Sequence, residues 1–145
     1  MVSSGGFGGH LKLQLAVAKS GLISVYRSIF NLQSKNVESY FRLFDAVSRS
    51  VLCYAAQIWG YFQYEDVEKL LRFFIKKIFR LPYNTPNYMI LLETGRDSLF
   101  IYTLKLHWAF LSHTLQLSDA RFSKIMFTIG VVHQHKWVGV IKKMH

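Results

Sequence analysis

From Leu11 to Leu117 apolar side chains return every three or four residues, the period of one helix face, and no stretch of similar length alternates like a strand. A chain patterned this way is expected to be all-α, with about five or six helices in a small orthogonal bundle. Its 145 residues suit one domain with a sizeable core.

The periodicity separates into segments. From His10, the residues Leu11, Leu15, Ala18, Leu22, Val25, Ile29 and Leu32 mark a first helix ending near Asn31. After the polar break Gln33 to Asn36, the series Val37, Tyr40, Phe41, Phe44, Val47, Val51, Leu52, Ala55 and Trp59 predicts one helix that Gly60 ends in the left-handed conformation. Glu65, Asp66 and Glu68 suit the positive end of a third helix dipole, and Lys76, Lys77 and Arg80 suit its negative end before Pro82 stops it. Thr85 and Pro86 read as the cap and first turn of a short helix ended by Gly95. Asp97 or Ser98 then caps a fifth helix with its apolar face at Leu99, Tyr102, Leu106, Ala109, Phe110 and Leu117, and Ser118 and Asp119 cap a sixth. Residues 1–9 read as a flexible Gly- and Ser-rich lead, and the basic tail 131–145 has no decided secondary structure.

Eighteen Lys and Arg against eight Asp and Glu leave a formal charge of +10, which favours a polyanionic partner. The lone Cys53 rules out an internal disulfide or a multi-thiolate zinc site, and reads as a small buried residue in a reducing compartment. The longest runs free of Lys, Arg, Asp and Glu, from Ser50 to Tyr64 and from Leu106 to Ser118, are shorter than the roughly 20 residues of a membrane span. With no secretory pattern at Met1 to Gly9, an intracellular location is expected, nucleus and cytoplasm undistinguished.

Catalytic chemistry finds no footing in these residues. The acids Glu38, Asp45, Glu65, Asp66, Glu68, Glu93, Asp97 and Asp119 are scattered except around Tyr64-Glu65-Asp66, which begins an amphipathic helix instead of turning a hairpin that holds metal ions. The histidines His10, His107, His113, His133, His135 and His145 lack ligand spacing and read as solvated. No catalytic residue, metal site or cofactor is expected.

The third helix carries the informative pattern. Between Lys69 and Arg80 lie five basic residues and no acid, while Val67, Leu70, Leu71, Phe74 and Ile78 take the opposite face. On an ideal helix Lys69, Arg72, Lys76 and Arg80 fall within an arc of roughly 80°, a stripe that can track a phosphate backbone. Lys77 adds charge and Phe73 an aromatic contact, so the candidate nucleic-acid-binding residues are Lys69, Arg72, Phe73, Lys76, Lys77 and Arg80. The same stripe also serves as the solvated face of an ordinary core helix.

Three stretches resemble a known family when taken together. Phe41 to Val47 (FRLFDAV) leads into Tyr54 to Gly60 (YAAQIWG), Val67 to Pro82 (VEKLLRFFIKKIFRLP) follows, and Asn84-Thr85-Pro86 runs on to Glu93-Thr94-Gly95. Their order and spacing are similar to the region after the polymerase palm in reverse transcriptases of non-LTR (LINE-type) retrotransposons. There, a tyrosine-to-tryptophan-glycine helix end precedes a basic helix, a Leu-Pro turn, a Thr-Pro cap and a Glu-x-Gly. The likeness spans residues 10–117 and is strongest from Leu43 to Leu99. It departs at Ser50 and Ser98, where family members commonly have proline, and at Gln57, where they have glutamate, as in a diverged or decaying copy.

The resemblance implies a thumb-like helical domain over 10–130 that helps hold template and primer, without the palm and its paired aspartates. The expected partners are the backbone of RNA or an RNA–DNA hybrid and a reverse transcriptase palm in trans; the chain alone is not expected to be an enzyme. The rival readings are a non-enzymatic protein-interaction module and a decayed fragment without a role. Peripheral membrane binding ranks below both, because a helix lying on lipid is rarely embedded in a capped globular core.

Overall fold

The computed structural model describes residues 7–32, 36–133 and 138–139. They are helical, with no strand among the described residues, and six of the helices have eight residues or more. The chain forms two compact units: one runs up to Tyr54 and resumes from Tyr64 to Leu99, and the other joins Ala55–Gln63 to the chain from Phe100 onward.

In the first unit α1 (Phe7–Leu32) begins inside the Gly-rich lead, and residues 1–6 lie outside the described residues. Its buried face is Leu11, Gln14, Ala18, Leu22, Val25 and Ile29, close to the face expected from the period. α2 (Val37–Phe44) follows, capped by Asn36, whose side chain accepts the Glu38 amide. A π-helical turn (Asp45–Arg49) and α3 (Ser50–Leu52) continue the rod. α1 packs on the π turn along small residues. A Cβ on Gly21 would sit 2.8 Å from Val47 Cγ1, and the buried Ser48 hydroxyl donates to the Ala18 carbonyl at 3.4 Å. Asp45 at the head of the π turn receives both Arg96 nitrogens, at 2.8 and 2.9 Å, and the Arg96 guanidinium lies 4.3 Å from the Phe41 ring centre.

The expected single helix from Val37 to Gly60 is broken. Ala55 takes a left-handed φ of 57°, and α4 (Ala56–Trp59) starts anew. The apolar spacing is the same on both sides of the break and no glycine or proline marks it, so periodicity alone could not reveal it. Gly60 is not a left-handed terminator either, since its φ is −66°. The Thr103 carbonyl oxygen instead approaches Gly60 so closely that a Cβ there would lie under 3.0 Å away.

α5 (Glu65–Ile78) packs its buried face, with Val67, Leu70, Leu71, Phe74 and Ile75, into the first unit, where Phe74 stacks on Phe44 at 4.7 Å. Glu68 stands in the acidic first turn as expected, and is buried with this face. α5 ends before Pro82, in a Schellman arrangement in which the Leu81 amide reaches the Lys76 carbonyl and the Arg80 amide reaches that of Lys77. α6 (Asn87–Thr94) closes the unit, and Gly95 terminates it with φ 62°, as the sequence predicts. Pro86 stands at the cap position, and Thr85 does not cap: its hydroxyl donates to the Pro82 carbonyl at 2.8 Å, tightening the turn before the helix.

α7 (Leu99–Gln116) opens on Leu99, buried as the last residue of the first unit, and within the second unit buries Thr103, His107, Leu111 and Thr114. Apart from Leu99 this is not the expected face. Two threonines can turn inward because their hydroxyls bond back to the Phe100 and Phe110 carbonyls. α8 (Phe122–Val132) begins three residues beyond the expected Ser118-Asp119 cap, which forms a turn in which the Arg121 amide donates to the Ser118 carbonyl. Along α8, Phe122, Ile125, Met126, Ile129 and Val132 form an exposed apolar seam. Most of the expected tail, residues 134–137 and 140–145, lies outside the described residues.

Candidate nucleic-acid interface

One edge of α5 and the turn after it border an open groove of about 1140 Å³ within the first unit. All six sequence-selected residues, Lys69, Arg72, Phe73, Lys76, Lys77 and Arg80, line it. So do Lys19 and Tyr26 of α1 and Tyr83 and Asn84 of the turn, which the sequence reading did not select. Phe73 is 41% exposed and offers part of its ring to the groove.

The charges are not the acid-free stripe that the segment from Lys69 to Arg80 suggests. Asp66 bonds Lys69 at 3.0 Å, and Glu65 pairs with Arg72 across two helical turns. The hydrogen bond from Lys69 to Asp66 holds the Lys69 ammonium pKa above its ordinary value. Six cationic side chains therefore face the groove against two carboxylates, and the field stays positive. The Lys69–Asp66 pair is exposed on both sides and weak enough for a phosphate to compete, whereas the Arg72 side chain is largely buried beside an exposed Glu65.

Arg80 is not on the helix. Its φ of 52° places it at the left-handed position of the Schellman turn, where glycine is the usual residue. Neither Lys77 nor Arg80 has an ion-pair partner among the described residues, and both are exposed. Lys76 is turned differently: its Nζ donates to the Tyr83 carbonyl at 2.6 Å and lies 5.3 Å from the Tyr83 ring centre. Position along α5 and the turn after it thus divides the basic residues into paired (Lys69, Arg72), turn-anchoring (Lys76) and unengaged (Lys77, Arg80). The missed Tyr83 had a faint signal, an aromatic directly after the Leu-Pro turn.

The remaining titratable residues take other roles. Cys53 is buried, and loss of solvation pushes its thiol up to about 12, so it has no nucleophilic character at neutral pH. His107 is not solvated as expected. It is buried, with Nδ1 2.6 Å from the Gln57 carbonyl, and burial lowers its pKa. His10 lies 6.4 Å, ring centre to ring centre, from Tyr54, while His135 and His145 are outside the described residues. Among the described residues no group of three or more His, Cys, Asp or Glu is placed to hold a metal ion, and no helix is long and apolar enough to cross a membrane.

Comparison of the chain with models of known protein families, with curated proteins and with solved structures finds no match in any of the three.

Proposed function

We propose that this chain is a nucleic-acid-binding helical fragment of the kind that follows the palm in non-LTR retrotransposon reverse transcriptases, gripping a phosphate backbone without an active site of its own. The observation that supports this most is the meeting of Lys69, Arg72, Phe73, Lys76, Lys77 and Arg80 on a single groove. Cations on a shared concave surface neutralise successive phosphates while carrying little sequence information. On this reading the ligand is RNA or an RNA–DNA hybrid, a palm acts in trans, no cofactor is needed, and the protein works inside the cell.

Binding to RNA measured from low to high salt tests the proposal. With about four phosphate contacts, log affinity falls against log salt with a slope of roughly −3 to −4. Changing Lys69, Arg72, Lys76 and Arg80 together to Gln keeps helix propensity nearly level, and is expected to flatten the slope and weaken binding. The control changes Lys12, Arg27, Arg42 and Arg121, four cations outside the groove. Equal losses in the two variants refute the groove as the binding edge.

A second reading has its own observation. The apolar seam of α8 suits a protein-interaction module, since exposed apolar side chains in a row on one helix commonly mark a partner surface. RNA binding with no salt dependence, together with self-association abolished by Ile125→Lys and Ile129→Lys, favours it.

A further inference from the structure

The ring of Tyr83 is 95% exposed and so does no core work. The backbone that carries it is nevertheless held in place. The Leu81 amide closes on the Lys76 carbonyl at 2.9 Å, the Thr85 amide and hydroxyl both reach the Pro82 carbonyl, and Lys76 Nζ grips the carbonyl of Tyr83 itself. A turn tied at both ends fixes the root of the ring, so only side-chain freedom is lost when something lies against it.

The surroundings define what that is. The Lys76 ammonium sits 5.3 Å from the ring centre, and Lys77 and Arg80 border the same groove. Cations beside an exposed ring match a ligand with a flat π-face and anionic groups on one strand, which describes a nucleotide chain. The groove, at about 1140 Å³, exceeds the roughly 300–1,000 Å³ of small-molecule sites and suits a polymer segment. In a duplex the base faces are stacked on one another and unavailable, so Tyr83 contributes only when bases are unpaired.

We infer that Tyr83 is a stacking platform for an unpaired base, and that the groove takes single-stranded nucleic acid in preference to a duplex, with Lys77 and Arg80 on the flanking phosphates. This rests on the nucleic-acid reading above and narrows it to one form of ligand.

Fluorescence anisotropy of the full chain with three labelled probes tests it: an oligo-dT of about 12 nucleotides, an abasic strand of equal length and a blunt duplex. The oligo-dT is expected to bind roughly 5- to 150-fold more tightly than the abasic strand, the worth of one stacked base. Tyr83→Ala should lower oligo-dT affinity to the abasic level with an unchanged circular dichroism spectrum, since the ring is exposed, whereas Tyr83→Phe should stay near wild type. Equal salt-dependent binding of oligo-dT and the abasic strand, untouched by Tyr83→Ala, overturns the stacking platform while leaving the phosphate grip standing. Tighter binding to the duplex than to oligo-dT overturns the strand preference. Absence of salt-dependent binding to every probe, and to an oligo-U strand of the same length, overturns both this inference and the reading beneath it.

Discussion

Arg80→Gly separates the backbone from the side chain at the edge of the groove. Arg80 holds a left-handed φ of 52°, at which a residue with a Cβ is disfavoured by about 1–2 kcal/mol. Glycine relieves that strain but adds freedom to the unfolded chain, which offsets about 0.5–1 kcal/mol. The balance is a stabilisation of up to about 1.5 kcal/mol, readable as a higher urea midpoint at unchanged slope. The same substitution deletes an exposed cation from the groove, so the salt slope of RNA binding should fall by about 0.7–0.9 and affinity should drop. Stability and binding are thus expected to move in opposite directions in one variant. Arg80→Ala is the control: it keeps the backbone strain, loses the charge, and should bind as weakly as the glycine variant without the gain in stability. A destabilised Arg80→Gly refutes the strained turn, and a stabilised variant with unaltered RNA binding refutes Arg80 as a phosphate contact.

Trp59, with 1% of its surface exposed, should cost about 3–5 kcal/mol when changed to Ala, and an unchanged denaturation midpoint contradicts its place in the core. Gly60→Ala drives a Cβ into the Thr103 carbonyl, so a loss of about 1–3 kcal/mol is expected, against a near-neutral change if Gly60 were only a helix end. Because burial lowers the pKa of His107 below its ordinary 6.5, the unfolded chain takes up the proton first. Its contribution is present above pH 6.5 and is lost as pH falls from there toward the lower folded value, and His107→Gln should flatten this limb of a stability-against-pH curve. Cys53, its thiol raised to about 12, should resist a thiol reagent at pH 8 in the folded chain and react once urea unfolds it.

What the sequence made legible is what one face of one helix can express. Leu11, Ala18, Leu22, Val25 and Ile29 line the inner side of α1 as their spacing requires, Gly95 ends α6, and the acidic start of α5 falls at Glu65. The six basic and aromatic residues from Lys69 to Arg80 were selected from local pattern alone, and they do share a groove. Non-local geometry stayed hidden. The break at Ala55 needs no special residue type, and the Asp45–Arg96 clamp joins positions 51 residues apart. The inward turn of Thr103 and Thr114 inverts the usual equation of polar with exposed, because hydroxyls bonded within their own helix behave as small packing groups, and the buried His107 depends instead on a distant partner, the Gln57 carbonyl. The acids that pair with Lys69 and Arg72 were visible in the sequence, but counting charge only from Lys69 onward left them out.

The split of the second unit into Ala55–Gln63 and the chain beyond Phe100 has a consequence in time. Gly60 and Gln57 meet partners 43 and 50 residues further on, at Thr103 and His107. At a synthesis rate of roughly 5–20 residues per second, α4 leaves the ribosome several seconds before the helix it packs against exists. The first unit can meanwhile assemble around α1 and α5, leaving Gly60 and Gln57 without their Thr103 and His107 partners in a nascent chain. Aggregation or chaperone capture during translation is therefore a hazard set by chain order, and slowing elongation between codons 60 and 103 should lower the soluble yield more than slowing it before codon 50.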